Sequence, residues 1–185
     1  MTTGLLIVDV QNDYFRGGAM ELVGMEQAAL QCGKLLAAFR DEQLPVFHVQ
    51  HLSTRPGAGF FVPDTAGCEI HESMLPRSGE AHITKHYPSA FRDTDLQQLL
   101  QMSDIDELVI CGAMTHMCID TTVRAAFDLG YQCQLAADAC ATRDLEFNGR
   151  TVSAADVQAG FMAALRVPFA QVSSTDAYLA SRQTG

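Results

Sequence analysis

A chain of 185 residues, 48% hydrophobic and 18% charged, has the length and apolar content to bury one sizeable core, as a single domain over 1–185. Its formal net charge of −10 argues against nucleic acid or an anionic membrane surface as partner, and no apolar run approaches the roughly 20 residues that span a bilayer. Six cysteines, at 32, 68, 111, 118, 133 and 140, show neither paired metal spacing nor the framework of a small disulfide-rich domain. No basic leader precedes the first apolar run, so the cytoplasm is the expected location.

In chain order, Leu5, Leu6, Ile7 and Val8 form a continuous apolar run, the pattern of a parallel strand covered on both faces. It ends at Asp9, and Gly17 and Gly18 then mark a loop. Met25, Ala28, Ala29, Cys32, Leu35, Leu36 and Phe39 recur at helical spacing and predict an amphipathic helix over 25–41. A second strand follows over 45–50. Residues 51–80 are rich in Pro and Gly yet contain Phe60, Phe61, Val62, Ile70 and Leu75, so they read as a lid or pocket wall. A short third strand, 81–85, ends in Lys85. After a turn at 88–91, a helix begins near Asp95.

The stretch 108–118 carries most of the chemistry. Leu108, Val109, Ile110 and Cys111, ending in Gly112, predict a buried fourth strand stopping at a tight turn. Beyond it, Ile119, Val123, Ala126 and Phe127 line one face of a helix, with Asp120, Arg124 and Asp128 on the other. Thr115 is the predicted N-cap, which places Cys118 in the first turn, where unpaired N–H groups and the helix dipole favour a thiolate. A fifth strand spans 131–136, Ser153 caps a helix reaching about Leu165, and a sixth strand spans 167–172. The polar tail, 173–185, closes on the surface.

Strands alternating with helices predict an α/β fold: a three-layer, doubly wound, mostly parallel six-stranded sheet with helices on both faces. Ligands in such sheets bind beyond the carboxyl ends of the strands. Asp9, Lys85 and Cys118 each sit at or just past such an end, which puts an acid, a base and a thiol on one rim. A nucleophilic thiol needs a proton acceptor, which Asp9 supplies, and a positive charge favouring the anion, which Lys85 supplies. Backbone N–H groups of the turn 112–114 and of Cys118 are the candidate oxyanion donors. The bland alternatives are a small buried cysteine beside a plain Asp–Lys salt bridge.

The motifs Asp9-Val10-Gln11-Asn12-Asp13 with Phe15, Lys85 with Ser89-Ala90-Phe91, and Gly112-Ala113-Met114-Thr115-His116-Met117-Cys118 continued by Thr121-Thr122-Val123-Arg124 resemble those of the isochorismatase-like cysteine hydrolases. That group includes nicotinamidase and N-carbamoylsarcosine amidohydrolase, and the resemblance covers nearly the whole chain. It implies an Asp9–Lys85–Cys118 triad working through a covalent acyl-enzyme, a cis peptide between Ala113 and Met114, and a homo-oligomer, dimer or tetramer. The Asp-x-His metal pair typical of nicotinamidases is missing from His48-Val49-Gln50-His51, and the next acid is Asp64. His51 and His71 are the residues through which a metal would bind, but the expectation is no catalytic metal and no cofactor. Candidate substrate-binding residues are Phe15, His51, Tyr87, Phe91 and His116. Three readings stay open: a hydrolase of a small amide, ureide or carbamoyl substrate; a vinyl-ether hydrolase of the isochorismatase type using Asp9; and a thiol-based redox or binding domain.

Overall fold

The computed structural model describes residues 2–182. Its central strands are the continuous apolar runs, because both of their faces are covered. In β1 (Thr2–Val8), Leu5 and Ile7 enter one core while Leu6 and Val8 enter the other, the two-residue alternation of a strand. With β2 (Val46–His51), β3 (Ala81–Lys85), β4 (Ile105–Ala113), β5 (Gln132–Ala141) and β8 (Gln171–Ser173) it forms a six-stranded sheet in the order β3-β2-β1-β4-β5-β8. Every pairing in it is parallel. α1 (Met25–Asp41) and the C-terminal α5 (Thr175–Arg182) cover one face. α2 (Leu96–Met102), α3 (Asp120–Asp128) and α4 (Ala154–Leu165) cover the other. The doubly wound α/β sandwich is the fold the alternation predicts.

From β1 the chain builds outward to β2 and β3, then crosses to build β4, β5 and β8 on the opposite side. The reversal lies between β1 and β4, so their carboxyl ends flank the crevice where such sheets bind ligands. Gly112 sets how closely they approach. Its φ is +121°, and a Cβ there would lie 1.9 Å from the carbonyl oxygen of Val8. Only glycine fits, and the closeness brings the turn after β4 against Asp9.

Several elements differ from the sequence reading. β4 runs on through Gly112 to Ala113, and β5 extends to Ala141, with a register shift between Ile110 and Gly112. The sixth strand is confined to Gln171–Ser173, after a turn containing a cis Val167–Pro168 bond. Phe127 is 38% exposed and packs its ring against Phe169 at the surface. The polar tail folds as α5, held to α1 by Lys34–Asp176 (2.8 Å) and by Arg182–Glu42; residues 183–185 lie outside the described residues. An exposed hairpin, β6 (Leu145–Phe147) and β7 (Arg150–Val152), turns through Asn148 and Gly149, both with positive φ. No helix among the described residues is long and apolar enough to cross a membrane.

The end of the long 52–80 segment is pinned by Glu80. Its carboxylate accepts from Arg40 Nε (2.6 Å), Arg40 Nη2 (2.8 Å) and the N–H of Arg77 (2.7 Å), and lies 2.9 Å from His48 Nε2. The Arg40 hydrogen bonds pull the Glu80 carboxyl from its ordinary 4.5 to about 2. A depressed carboxylate contributes stability that is present above the unfolded value and lost as pH falls through the folded one. We expect Glu80→Gln to cost about 1–3 kcal/mol at neutral pH and to flatten the loss of stability between pH 4.5 and 2. Urea midpoints of both proteins across that window test it, and parallel curves refute it.

Candidate active site

Asp9 is the first residue beyond β1. Its φ is +52°, a left-handed conformation that aspartate tolerates better than most residues, and its N–H donates to Val49 O (3.0 Å). Lys85 ends β3, and Cys118 lies in a π-helical turn, Thr115–Ile119, between β4 and α3. Although β3 is an edge strand, the long lysine stem carries its ammonium to the centre of the rim. Lys85 Nζ is 2.7 Å from Asp9 Oδ2, 2.8 Å from His51 Nδ1, 3.1 Å from Tyr87 O and 3.2 Å from Cys118 Sγ. Asp9 and Lys85 have no solvent exposure, and Cys118 is 4% exposed.

Burial alone would discharge Lys85. The Asp9 carboxylate and Cys118 outweigh it and hold the ammonium above its ordinary value. His51 is pushed down to about 4, first by burial and then by Lys85, so the ring is neutral at physiological pH. Because Nδ1 accepts from Lys85, the ring proton sits on Nε2. Cys118 departs from the sequence expectation. Burial and then the Asp9 carboxylate push its thiol up, and Lys85 only partly offsets them. The resting group is a thiol poised between a base and a cation. Thr115 is not the N-cap either: its hydroxyl faces Ala141 O (3.2 Å) and Gln158 Oε1 (2.6 Å), tying the π turn to β5 and α4.

Two further groups complete the centre. Asp9 Oδ1 is buried without a hydrogen-bond partner. The Ala113–Met114 peptide is cis, and the Met114 N–H makes no hydrogen bond among the described residues. The cluster thus holds a free carboxylate oxygen, and the turn leading to Cys118 a free N–H donor.

A cavity of about 440 Å³, walled by His51 and Tyr87, by Ser53 to Phe61, and by Met20 and Met117, adjoins the centre through His51 and Tyr87, which both contact Lys85 Nζ. Of the 51–80 segment read as a lid or pocket wall, His51 and Ser53 to Phe61 line the cavity, and residues 62–80 do not. Of the candidate contact residues, His51 and Tyr87 reach this cavity and three do not. Phe15 stacks on His71 (3.7 Å between ring centres) in the α1-side core, Phe91 packs beside Tyr131, and His116 bonds Thr142 Oγ1 (2.6 Å). His71 also bonds Ser73 Oγ (2.8 Å) and does not converge with His51. Among the described residues, the one metal-ligating constellation is Asp9, His51 and Cys118, with ligand atoms within 4.8 Å of one another. Lys85 Nζ contacts all three, so the ammonium holds the position and the charge an ion would bring.

The sequence reading assigned no role to Gln11, which is fully buried. Its Oε1 accepts from His51 N (2.8 Å), while Nε2 donates to His51 O (2.9 Å) and Cys68 O (2.6 Å). Asp13 likewise receives Phe61 N (2.6 Å) and Ala19 N (3.2 Å). The available signal was polar residues packed immediately after a buried strand end, where their side chains must find partners.

The isochorismatase domain family matches residues 3–177. The chain belongs to the isochorismatase family. It is 50% identical over 179 residues to the isochorismatase family protein YddQ of Bacillus subtilis (strain 168), covering 97% of this chain and 99% of that one. A crystal structure of an isochorismatase hydrolase-type protein from Oleispira antarctica superposes with a TM-score of 0.94 at 54% identity, covering 97% of this chain and 96% of that one. A streptothricin hydrolase of Streptomyces noursei is 36% identical over 141 residues, 76% of this chain and 50% of its own. This isochorismatase-family hydrolase therefore keeps the family fold around the Lys85 centre.

Removing one member of a buried ion pair strands the other's charge, whereas removing both relieves the penalty. We expect Lys85→Met to destabilise the fold by about 3–5 kcal/mol. The double variant Asp9→Asn/Lys85→Met should recover much of that loss, asparagine being the substitute that best tolerates the positive φ. Urea unfolding of the two variants decides it; additive losses would mean that the pair is not coupled.

Proposed function

We propose that this hydrolase cleaves the C–N bond of a small amide, ureide or carbamoyl substrate, with Cys118 as nucleophile and a thioester-type intermediate. The observation that carries the reading is the contact of one buried ammonium with both a carboxylate and a thiol, next to a cavity whose His51 and Tyr87 touch the same ammonium. The homology to a streptothricin hydrolase supports hydrolysis in general terms.

The unpartnered Oδ1 of Asp9 takes the proton of Cys118 as the sulfur attacks the substrate carbonyl carbon. The carbonyl oxygen becomes an oxyanion held by the Met114 N–H, joined by the N–H of Cys118 as the family resemblance implies. Asp9 then gives the proton to the leaving nitrogen, the C–N bond breaks, and the amine or ammonia departs. Water, deprotonated by Asp9, attacks the thioester; the acid leaves and the thiol is restored. Lys85 stays charged throughout and favours each anion in turn. Its ammonium supplies the positive charge in this cycle, which is written without a metal.

Cys118→Ala is expected to lower turnover of a cleaved amide by about 10⁴-fold or more, and a chelator to leave wild-type turnover in place. Acid quenching during steady state should trap a mass increment of the acyl group on Cys118. Turnover that persists in Cys118→Ala would overturn the nucleophile and favour acid–base chemistry at Asp9, as for a vinyl ether.

A further inference from the structure

We propose that the substrate carries a carboxylate remote from its scissile amide and that Arg55 is the residue that reads it, an inference that rests on the amide-hydrolase reading above. The chain holds 22 acidic against 12 basic residues, yet the cavity wall reverses that balance. No aspartate or glutamate lines it, and Arg55 is its one arginine or lysine. The nearest catalytic acid, Asp9, is already neutralised by Lys85 at 2.7 Å, and His51 is uncharged. Arg92, which lies over the Tyr87 ring (3.5 Å) beside Asp93 (3.7 Å), is engaged. The Arg55 guanidinium has no ion-pair, hydrogen-bond or ring partner among the described residues.

The backbone around it is ordered for the purpose. The N–H of Ala58 closes a turn on Arg55 O (3.1 Å), and the N–H of Ser53 closes the base of that excursion on Phe61 O (2.8 Å). Phe61 is itself anchored by Asp13. Arg55 thus stands, exposed, on a short braced turn of the cavity wall, and the same wall reaches the thiol through His51, 2.8 Å from the Lys85 ammonium that lies 3.2 Å from Cys118 Sγ. Met20, Phe60, Phe61 and Met117 give the same wall its apolar surface. The complementary ligand is a carboxamide at one end, a hydrocarbon or aryl spacer, and a carboxylate at the other. A guanidinium fork binds a carboxylate through two charge-assisted hydrogen bonds, gains less from a neutral group, and repels a cation.

Three probes share one ring and differ in charge: 4-carbamoylbenzoate, 4-methylbenzamide and 4-(aminomethyl)benzamide. Their binding to Cys118→Ala by calorimetry, and ammonia release from them by the wild type, should both follow the order carboxylate, methyl, aminomethyl. The first step should be about tenfold and carried by KM rather than kcat. Adding Arg55→Gln should collapse that ratio, and Arg55→Lys should retain part of it. Equal binding of the three, a preference for the amine, or a carboxylate preference that survives Arg55→Gln would overturn the proposal. The two readings separate cleanly. A carboxylate preference in binding without ammonia release defeats amide hydrolysis and keeps Arg55, while ammonia release without a charge preference does the reverse.

Discussion

The buried ammonium of Lys85 is the constraint on which this rim of the sheet depends. A carboxylate with no solvent exposure is tenable only with a compensating charge at hydrogen-bond distance. That charge is delivered from the sheet edge, past β2, to the ends of β1 and β4. One side chain therefore links four positions that the sheet alone would leave independent: Asp9 after β1, His51 at the end of β2, Tyr87 after β3 and Cys118 after β4. The alternation of strands and helices places these residues on one rim, and the lysine fixes them within ångströms of one another.

The segment following β1 has a second duty. Asp9 supplies the carboxylate of the Lys85 centre, and within four residues Gln11 and Asp13 fasten the segment that follows β2. Gln11 satisfies both backbone groups of His51, which a strand end would otherwise leave open, and takes the carbonyl of Cys68 in the segment beyond it. Gln50 donates to that same carbonyl (2.8 Å), and Asp13 holds Phe61. A long Pro- and Gly-rich segment is thereby kept in shape by buried polar groups instead of by regular structure. Its apolar members, Phe60 and Phe61, close against Tyr14 with ring centres 6.1 and 4.6 Å away.

What was legible in the sequence was whatever a short window determines. The central strands showed as apolar runs, α1 as a seven-residue stripe, and the triad as three chemical groups at strand ends. What stayed hidden depends on distant partners. Thr115 reads as an N-cap until Ala141 and Gln158, 26 and 43 residues away, claim its hydroxyl. α5 buries only Thr175 and Tyr178, too few to make a stripe. The Asn148-Gly149 pair did carry a hairpin signal, but each flanking strand is three residues long and largely exposed, too short for its alternation to register. The Cys118 thiol was misjudged for the same reason. A local view sees a helix start that favours the anion, whereas the folded site removes the water that an isolated thiolate requires.

That burial need not oppose catalysis. With Lys85 charged, two arrangements of the centre carry the same net charge: carboxylate with thiol, and carboxylic acid with thiolate. Moving one proton from Cys118 to Asp9 interconverts them without changing the charge that the buried site must hold, so desolvation penalises both in similar measure. The choice is then made by local donors, and a substrate carbonyl brought to the Met114 N–H adds a stabilised oxyanion only along the path through the thiolate. The neutrality of His51 belongs to the same balance. A second cation beside Lys85 would bind the Asp9 carboxylate more tightly and weaken it as a base. By holding His51 near 4, burial and Lys85 keep the ring as an uncharged donor above that pH, so in the proposed cycle the Asp9 carboxylate meets one cation and not two.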